Sequence, residues 1–364
     1  MTLRTNLKIF YFSYYSLVVY LLMLFPMQLQ KIYTTSEIGI IVGSITFFKF
    51  LSLYIFGKFS FSRKSIFILN NLFILSIILI YIFQNSFYLL LLFSTIFGVI
   101  NNFIISYFDQ IKINTYRKYL GLFRVFGSFG GLFLFIAIVF LPSLIDNMSF
   151  LFYFYILGYF IFSNTILYQR KKILKLDIKE NSDSNFNYTS AKAYWNIGGI
   201  IMIVMSFFHA FIGIYLKEFG YSTIDTSILL SVGIFFEIVA FFCAHILFKI
   251  FDYKKLFFLA SLITGFRLIF FDVFINSFTL LAITQALHFF TFGIFYASFM
   301  NILKTIYKED INKALQIYNG YIDGIIKSIF IFILAFFLYH GIFLICGLII
   351  VISCIYYKKD VLIS

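Results

Sequence analysis

Twelve apolar stretches, each long enough to cross a lipid bilayer, run through this chain of 364 residues. A helix needs about 20 mostly apolar residues to span the hydrocarbon core. The stretches lie near residues 8–29, 37–57, 66–83, 87–109, 118–141, 149–168, 195–216, 224–248, 255–274, 277–302, 313–336 and 341–357. Their length and their lack of period-two alternation favour helices over barrel strands. The sequence therefore predicts an all-α integral membrane protein with twelve transmembrane helices.

The composition excludes an ordinary soluble domain, because hydrophobic residues make up 62% of the chain and charged residues only 12%. A net charge of +13 would suit a nucleic-acid partner in a soluble protein, but the basic residues here fall in particular loops. No nucleic-acid partner is therefore expected. Cys243, Cys346 and Cys354 lie within apolar segments and have no metal-ligand spacing, so we expect no metal and no cofactor.

The distribution of basic residues predicts the orientation in the membrane. If the N-terminus is inside, the cytoplasmic loops and termini hold 22 lysines and arginines, and the outer loops hold only Lys31 and Lys217. Basic residues accumulate on the cytoplasmic side of membrane proteins. Both termini are therefore predicted to be cytoplasmic, in a multi-pass protein of the cell inner (cytoplasmic) membrane.

The longest polar stretch, residues 169–194, predicts the division of the chain. Its content of Lys, Asp, Asn and Ser is typical of a flexible, solvated linker. It separates an N-terminal bundle of six helices, residues 1–168, from a C-terminal bundle of six helices, residues 195–364. Two such halves joined by a cytoplasmic linker are typical of transporters built from repeats, which bind solute between the halves.

Charged residues interrupt several of the apolar stretches. An isolated charge at the centre of a bilayer costs about 3 kcal/mol even on the mildest scale. A chain that keeps several of them is expected to use them. The residues concerned are Lys49, Arg124, Glu237, Arg267, Asp323 and Lys327.

Asp109 and Arg124 flank the loop between the fourth and fifth helices. Both lie about seven residues from the middle of that loop, so a helical hairpin places them at a similar depth, roughly 10 Å along the helices. We expect the two side chains to neutralise each other at a binding site. The alternatives are a purely structural ion pair or an Arg124 side chain that reaches the membrane interface.

Three residues of the second half are candidates for proton coupling. Glu237 has no basic residue at i±3 or i±4, so any partner lies on another helix. Arg267 cannot readily lose its proton and needs a counter-ion, an anionic substrate or water. His288 lies in the middle of the tenth helix. It either takes part in proton transfer or substrate contact, or is a hydrogen-bonded core residue. Glu237 in turn is either a reversible proton carrier or a permanently protonated, hydrogen-bonded side chain.

The remaining charges are Asp323, Lys327 and Lys49. Asp323 and Lys327 stand at i and i+4 on the eleventh helix, so they share one face. They are either a structural pair that neutralises itself or part of the proton-coupling network. Lys49 has no acid nearby in sequence and is a candidate for substrate binding in a central cavity.

Small residues on the fifth helix predict close packing. Gly127, Gly130 and Gly131 share this helix with Ser128 beside them. Such small-residue faces let neighbouring transmembrane helices approach closely.

The run YLGLFRVFGSFG, Tyr119–Gly130, resembles the helix-five signature of a branch of the major facilitator superfamily. That branch includes lactose permease, nucleoside–proton symporters and the phenylpropionate permeases. Asp109 is similar to the acid that precedes this signature. The run QALHFFTFG, Gln285–Gly293, resembles the helix-ten signature, while Glu237 and Arg267 resemble the helix-eight Glu and the helix-nine Arg. The resemblance spans most of the chain in order and implies the major facilitator fold of two six-helix bundles.

The resemblance also implies roles for the charged residues. In this family the helix-four acid and the helix-five Arg bind substrate, which implies that role for Asp109 and Arg124. The charges of helices eight to ten couple transport to protons, which implies that role for Glu237, Arg267 and His288. Thr291 departs from the pattern, because lactose permease has a Glu at that place.

The expected function is secondary active transport of a small organic solute, namely an organic acid, sugar or nucleoside, by alternating access with proton symport. The alternatives are an exporter or antiporter of the same fold and a polytopic membrane enzyme. No His-Glu-x-x-His run, paired metal-ligand motif or phosphate-binding glycine loop occurs in the sequence, so we expect no enzyme. A channel is disfavoured by buried titratable charges in an asymmetric chain. The expected partners are the solute, protons and the lipid bilayer, and the chain is expected to act as a monomer.

Overall fold

The computed structural model describes residues 2–56, 62–116, 120–143, 148–169, 191–307, 314, 322 and 324–363. All regular structure within these ranges is helical. The helices are α1 Leu3–Leu29, α2 Thr35–Phe56, α3 Arg63–Ile82, α4 Phe87–Tyr116, α5 Leu120–Phe140, α6 Met148–Gln169, α7 Lys192–Glu218, α8 Thr223–Ile250, α9 Tyr253–Val273, α10 Phe278–Tyr307, α11 Lys327–Ala335, α12 Ile342–Tyr356 and α13 Lys358–Ile363.

The prediction of an all-helical, multi-spanning protein is confirmed. Within the described ranges, nine helices are long and apolar enough to cross a membrane, namely α1 and α3 to α10. The helices α11 and α12 are apolar but shorter in the part described. The count of twelve spans and the cytoplasmic location of both termini stay predictions.

Polar caps set where several helices begin. Ser222 accepts the backbone N–H of Asp225 at 3.1 Å, and the Asp225 carboxylate accepts the backbone N–H of Ser222 at 2.9 Å. This reciprocal capping box satisfies backbone donors at the start of α8. Asp252 caps α9 in the simpler way, by accepting the backbone N–H of Lys254.

Two compact units can be separated by their internal contacts. The first contains α1 to α4, α6, α11 and α5 as far as Leu134, and the second contains α7 to α10, α12, α13 and residues 135–142. The helix α11 groups with the first unit because it packs along α2, where the Phe332 ring lies directly over Gly43. The predicted linker, residues 169–194, falls mostly outside the described residues, and the predicted domain division stays a prediction.

The helix α1 forms the centre of the first unit. The Phe10 ring lies 4.1 Å from Phe108 of α4 and 5.3 Å from Tyr159 of α6, centre to centre. Helix α5 approaches α1 at glycines, since a Cβ at Gly130 would lie 2.6 Å from Ser16 Oγ. The small-residue face predicted on this helix thus packs against α1, as expected for close helix contact.

The second unit is built around α7 and around a close contact between α9 and α12. A Cβ added at Gly265 of α9 would lie 2.9 Å from the carbonyl oxygen of Gly347 on α12. Neither glycine can be enlarged without moving a helix backbone. Arg267 follows Gly265 by two residues on α9. The close contact between α9 and α12 therefore fixes the part of the helix that carries Arg267.

Candidate functional site

The second unit contains a buried group of polar side chains, which we call the Arg267 cluster: Glu237, Arg267, Gln285, His288 and Thr291. Arg267, Gln285 and Thr291 are each only 1% exposed. Buried polar groups of this kind are costly unless they are hydrogen-bonded. Their contacts therefore define what the cluster can do.

The helix α10 supplies three members of the cluster from one face. It changes from an α-helix, Phe278–Ala286, to a π-helical turn, Phe289–Ile294. Such π-turns are frequent at functional sites. Gln285, His288 and Thr291 follow one another at intervals of three residues and point toward α9.

Glycine brings α10 close to α8, which supplies Glu237. A Cβ at Gly293 would lie 3.6 Å from the Cα atom of Ala240 and 3.5 Å from the carbonyl oxygen of Glu237. The two helices therefore meet at backbone distance beside the cluster. This approach places the Glu237 carboxylate near the His288 ring, at 3.3 Å from Oε2 to Nε2.

Arg267 donates to three side chains of α10. Its Nη1 lies 3.0 Å from His288 Nδ1 and 3.0 Å from Thr291 Oγ1. Its Nη2 donates to Gln285 Oε1 at 2.6 Å. The guanidinium carbon also lies 5.1 Å from the centre of the Phe208 ring of α7, a cation–π distance.

This network assigns the tautomer of His288. A guanidinium can only donate hydrogen bonds, so His288 Nδ1 must accept from Arg267. The Thr291 hydroxyl, 2.7 Å from the same nitrogen, donates to it as well. The proton of the neutral imidazole is therefore on Nε2, which faces Glu237.

His288 and Glu237 differ in what an added proton would do to the cluster. A second proton on His288 would place an N–H against the Nη1 group of Arg267 and break their contact. Glu237 keeps 12% of its side chain exposed, against 5% for His288. Protonation of Glu237 removes a negative charge one imidazole away from Arg267, and the guanidinium charge is then left unbalanced within the cluster.

His209 of α7 is a further titratable neighbour. Its ring centre lies 5.6 Å from that of His288, with the rings nearly perpendicular. It was not predicted from the sequence, although it too is a titratable side chain in an apolar stretch.

In the first unit, Asp109 and Arg124 both contact tyrosines of α1. Asp109 Oδ1 accepts from Tyr11 OH at 2.6 Å and from Lys112 Nζ at 2.5 Å. Arg124 Nη1 donates to Tyr15 OH at 2.6 Å. The direct pairing of Asp109 with Arg124 stays a prediction. The tyrosines that these two side chains contact, Tyr11 and Tyr15, stack on each other with ring centres 6.2 Å apart.

We call Tyr11, Tyr14 and Tyr15 the tyrosine face of α1. Tyr14 OH donates to Asn101 Oδ1 at 2.8 Å. Lys112 Nζ lies 4.7 Å from the centre of the Tyr11 ring, and Arg124 lies at the same distance from the Tyr15 ring. The face therefore combines aromatic surface with cations and hydrogen-bonding groups.

The other predicted site residues lie on α2 and α11. Lys49 is half-buried on α2, and its carbonyl oxygen accepts from Asn102 Nδ2 at 3.2 Å. Lys327 is 8% exposed at the start of α11. Asp323 lies outside the described residues, so its pairing with Lys327 stays a prediction.

Several site residues were not predicted from the sequence. Gln285 and Thr291 are uncharged, but both stand three residues from His288 and share its face. Lys112 stands three residues after Asp109 and was assigned only to a cytoplasmic loop. The spacing of Tyr11, Tyr14 and Tyr15 at i, i+3 and i+4 also predicts a common face.

No group of three His, Cys, Asp or Glu side chains suitable for a metal comes together in the ranges the structure describes. The absence of a cofactor stays a prediction.

Long apolar helices that enclose ionised side chains define a multi-pass membrane protein with a buried polar network. The chain belongs to the MFS_1 like family, whose model matches residues 4–325. This is a family of transporters of the major facilitator superfamily and not of enzymes. The resemblance predicted from the helix-five and helix-ten runs is therefore confirmed.

Solved structures show the same fold. The nucleoside transporter NupG is similar with a TM-score of 0.73 and 13% sequence identity, over 99% of this chain and 99% of that chain. The xylose transporter XylE from E. coli, in an inward open conformation, is similar with a TM-score of 0.70 and 12% identity, over 97% of this chain and 94% of that chain. Among curated protein sequences, none matches the chain significantly.

Proposed function

We propose that the protein is a proton-coupled secondary transporter that moves a small organic solute across the cytoplasmic membrane by alternating access. The observation that carries this proposal is the buried series Arg267, His288 and Glu237. An ionisable network inside a membrane protein is expensive to maintain and usually marks an ion or proton pathway. Membership of a transporter family supports the same function.

The Arg267 cluster provides a means of coupling. A proton on Glu237 changes the net charge of the cluster, and it also changes the hydrogen bond that the carboxylate makes with His288 Nε2. A ligand shifts a conformational equilibrium only by binding one state more tightly than the other. We infer that the proton acts as such a ligand and that conformations open to opposite sides of the membrane differ in their affinity for it.

We propose that the tyrosine face, with Asp109 and Arg124, binds the carbon skeleton of the solute. Sites for small molecules combine apolar and aromatic walls with a few polar groups that determine orientation. Tyr11, Tyr15 and the two charged side chains provide both. We assign Lys49 to the same function as a further cation, and Asp323 and Lys327 to the proton-coupling group. We further propose that the protein acts as a monomer with both termini in the cytoplasm.

Uptake into proteoliposomes tests the proposal. Purified protein is reconstituted and offered organic acids, sugars and nucleosides, with and without a pH gradient. We expect one class to accumulate against its gradient when the outside is more acidic. Accumulation only with the reversed gradient would instead establish an exporter or antiporter.

Glu237→Gln tests the coupling residue. This variant imitates a permanently protonated carboxyl, so we expect loss of pH-driven accumulation with exchange of solute retained. Glu218→Gln, the same change at an exposed position at the end of α7, is the matched control and should behave as the unmodified protein. Unchanged accumulation by Glu237→Gln would exclude Glu237 as the proton carrier.

A further inference from the structure

Among the residues that the structure describes, two N–H donors of the Arg267 cluster are buried and find no hydrogen-bond partner: Arg267 Nε and Gln285 Nε2. Both side chains are 1% exposed, and they are joined directly by the 2.6 Å bond from Nη2 to Oε1. Native interiors rarely keep buried donors unpaired, because the desolvation of each donor is then uncompensated. Two such donors on adjacent side chains mark a place for acceptor oxygens that come from outside the chain.

The positive charge of Arg267 restricts which chemical groups can supply these acceptor oxygens. Its hydrogen bonds in the described structure all go to neutral groups of α10. Glu237 is the carboxylate whose charge acts on it, across the His288 ring. Asp272, the next acid on α9, is occupied by Tyr215 and by the backbone N–H of Leu344.

Protonation of Glu237 therefore leaves a net positive charge in the cluster. Among the described residues, the titratable and charged side chains that meet here come from four helices: His209 of α7, Glu237 of α8, Arg267 of α9 and His288 of α10. A buried charge without a counter-ion is strongly unfavourable. An anion bound at Arg267 would remove this cost, whereas a neutral solute would not.

A carboxylate fits both requirements. Guanidinium groups bind planar, two-oxygen anions through adjacent N–H groups with high geometric specificity. The unpaired amide N–H of Gln285 supplies a further donor beside the guanidinium.

We propose that Arg267 and Gln285 bind the carboxylate of a monoanionic organic solute, and that this binding is coupled to protonation of Glu237. The inference rests on the proposed function and names its substrate class. One proton passes from solvent to a Glu237 carboxylate oxygen, and one carboxylate binds at Arg267. The loaded cluster then has the same net charge as the empty cluster with Glu237 ionised, so transport is electroneutral.

Ligand stabilisation of the purified, full-length protein tests the binding step. The probes are formate, acetate and benzoate, each compared with its amide, formamide, acetamide and benzamide. We expect carboxylates alone to raise the unfolding temperature, with affinity falling about tenfold for each pH unit above the range in which Glu237 is protonated. Equal stabilisation by the amides, or none by any carboxylate, would overturn the proposal.

Two variants sharpen this test. Glu237→Gln keeps the cluster positively charged, so carboxylate binding should persist and lose its pH dependence. Gln285→Glu supplies a carboxylate of the chain's own beside Arg267, so binding of the probes should fall at least tenfold. Gln169→Glu makes the same change at an exposed position of α6 and should leave binding unchanged. Full binding by Gln285→Glu would contradict the assigned site.

The electrical character of transport separates this inference from the proposed function. We expect a pH gradient to drive carboxylate accumulation, and an imposed membrane potential alone to drive none. Accumulation driven by the potential would show net movement of positive charge, which overturns the carboxylate inference and leaves proton symport intact. If no solute accumulates under a pH gradient, proton symport itself fails, and the carboxylate inference fails with it.

Discussion

Arg267 determines the state of its neighbours because it can only donate hydrogen bonds. It makes His288 Nδ1 an acceptor and so directs the imidazole proton toward Glu237. A change in charge or hydrogen bonding at Arg267 or at Glu237 therefore affects the other residue through the imidazole ring of His288. The same logic explains why Thr291, which stands where a Glu is found in lactose permease, is useful here: its hydroxyl accepts from Arg267 and donates to His288 without adding charge.

His288→Phe should separate the two ends of this series. The change leaves Arg267 Nη1 and the Thr291 hydroxyl each without one partner, so we expect a loss of about 1–3 kcal/mol in stability. Thermal unfolding of the purified variant measures this loss, and proteoliposome uptake should show at least tenfold weaker pH-driven accumulation. His209→Phe is the matched control, because it is the same change on the neighbouring helix α7, at a half-buried ring that packs 5.6 Å from His288. Equal losses in both variants would contradict the special role of His288.

For single residues of the Arg267 cluster, the sequence predicts the charged or titratable members and misses the neutral ones. Glu237, Arg267 and His288 stand out because a charged or titratable side chain in an apolar stretch is costly. Gln285 is uncharged, so its importance depends on which helix face meets α9. That register changes at the π-turn of α10, and the sequence gives no independent signal for such a turn.

The helices of the second unit are joined at their ends as well as at the cluster. Asp272, in the last turn of α9, accepts from the Tyr215 hydroxyl of α7 and from the backbone N–H of Leu344 at 2.6 Å. Gly341, the N-cap residue directly before α12, has a φ of 95° and no side chain to cap the helix. Asp272 therefore caps α12 from a neighbouring helix, and three helices share one carboxylate. The Asp272 side chain is 2% exposed, so this junction is shielded from solvent.

Asp272→Asn should loosen this junction. The amide keeps one acceptor oxygen but places an NH₂ group near a donor, so we expect destabilisation of about 1.5–3 kcal/mol, the range for hydrogen bonds to charged groups. Tyr215→Phe removes the hydroxyl that donates to Asp272 and accepts the backbone N–H of Gly341 at 3.4 Å, and it should cost about 1 kcal/mol for each bond lost. The double variant should cost less than the sum, because the residues share a bond. Additive losses in thermal unfolding would show that the two side chains act independently.

For the whole molecule, the apolar stretches predict the helices well, because a bilayer leaves few alternatives to a helix for a chain that crosses it. A described helix overlaps each predicted stretch, with ends that differ by several residues. The grouping of α11 with the first unit could not be predicted, since it depends on the close fit of Phe332 over Gly43 and not on the order of helices along the chain. Orientation depends on loop charge alone and is the broadest prediction still to be tested.

Labelling of single cysteines in intact cells tests that orientation. Cys243, Cys346 and Cys354 are first replaced by Ala, and one cysteine is then introduced at Lys217 or at Lys359, both exposed. Because basic residues favour the cytoplasmic side, we expect a membrane-impermeant maleimide to label the cysteine at Lys217 in intact cells. It should label the cysteine at Lys359 only after permeabilisation. The reverse pattern would place the C-terminus outside and would contradict the predicted orientation.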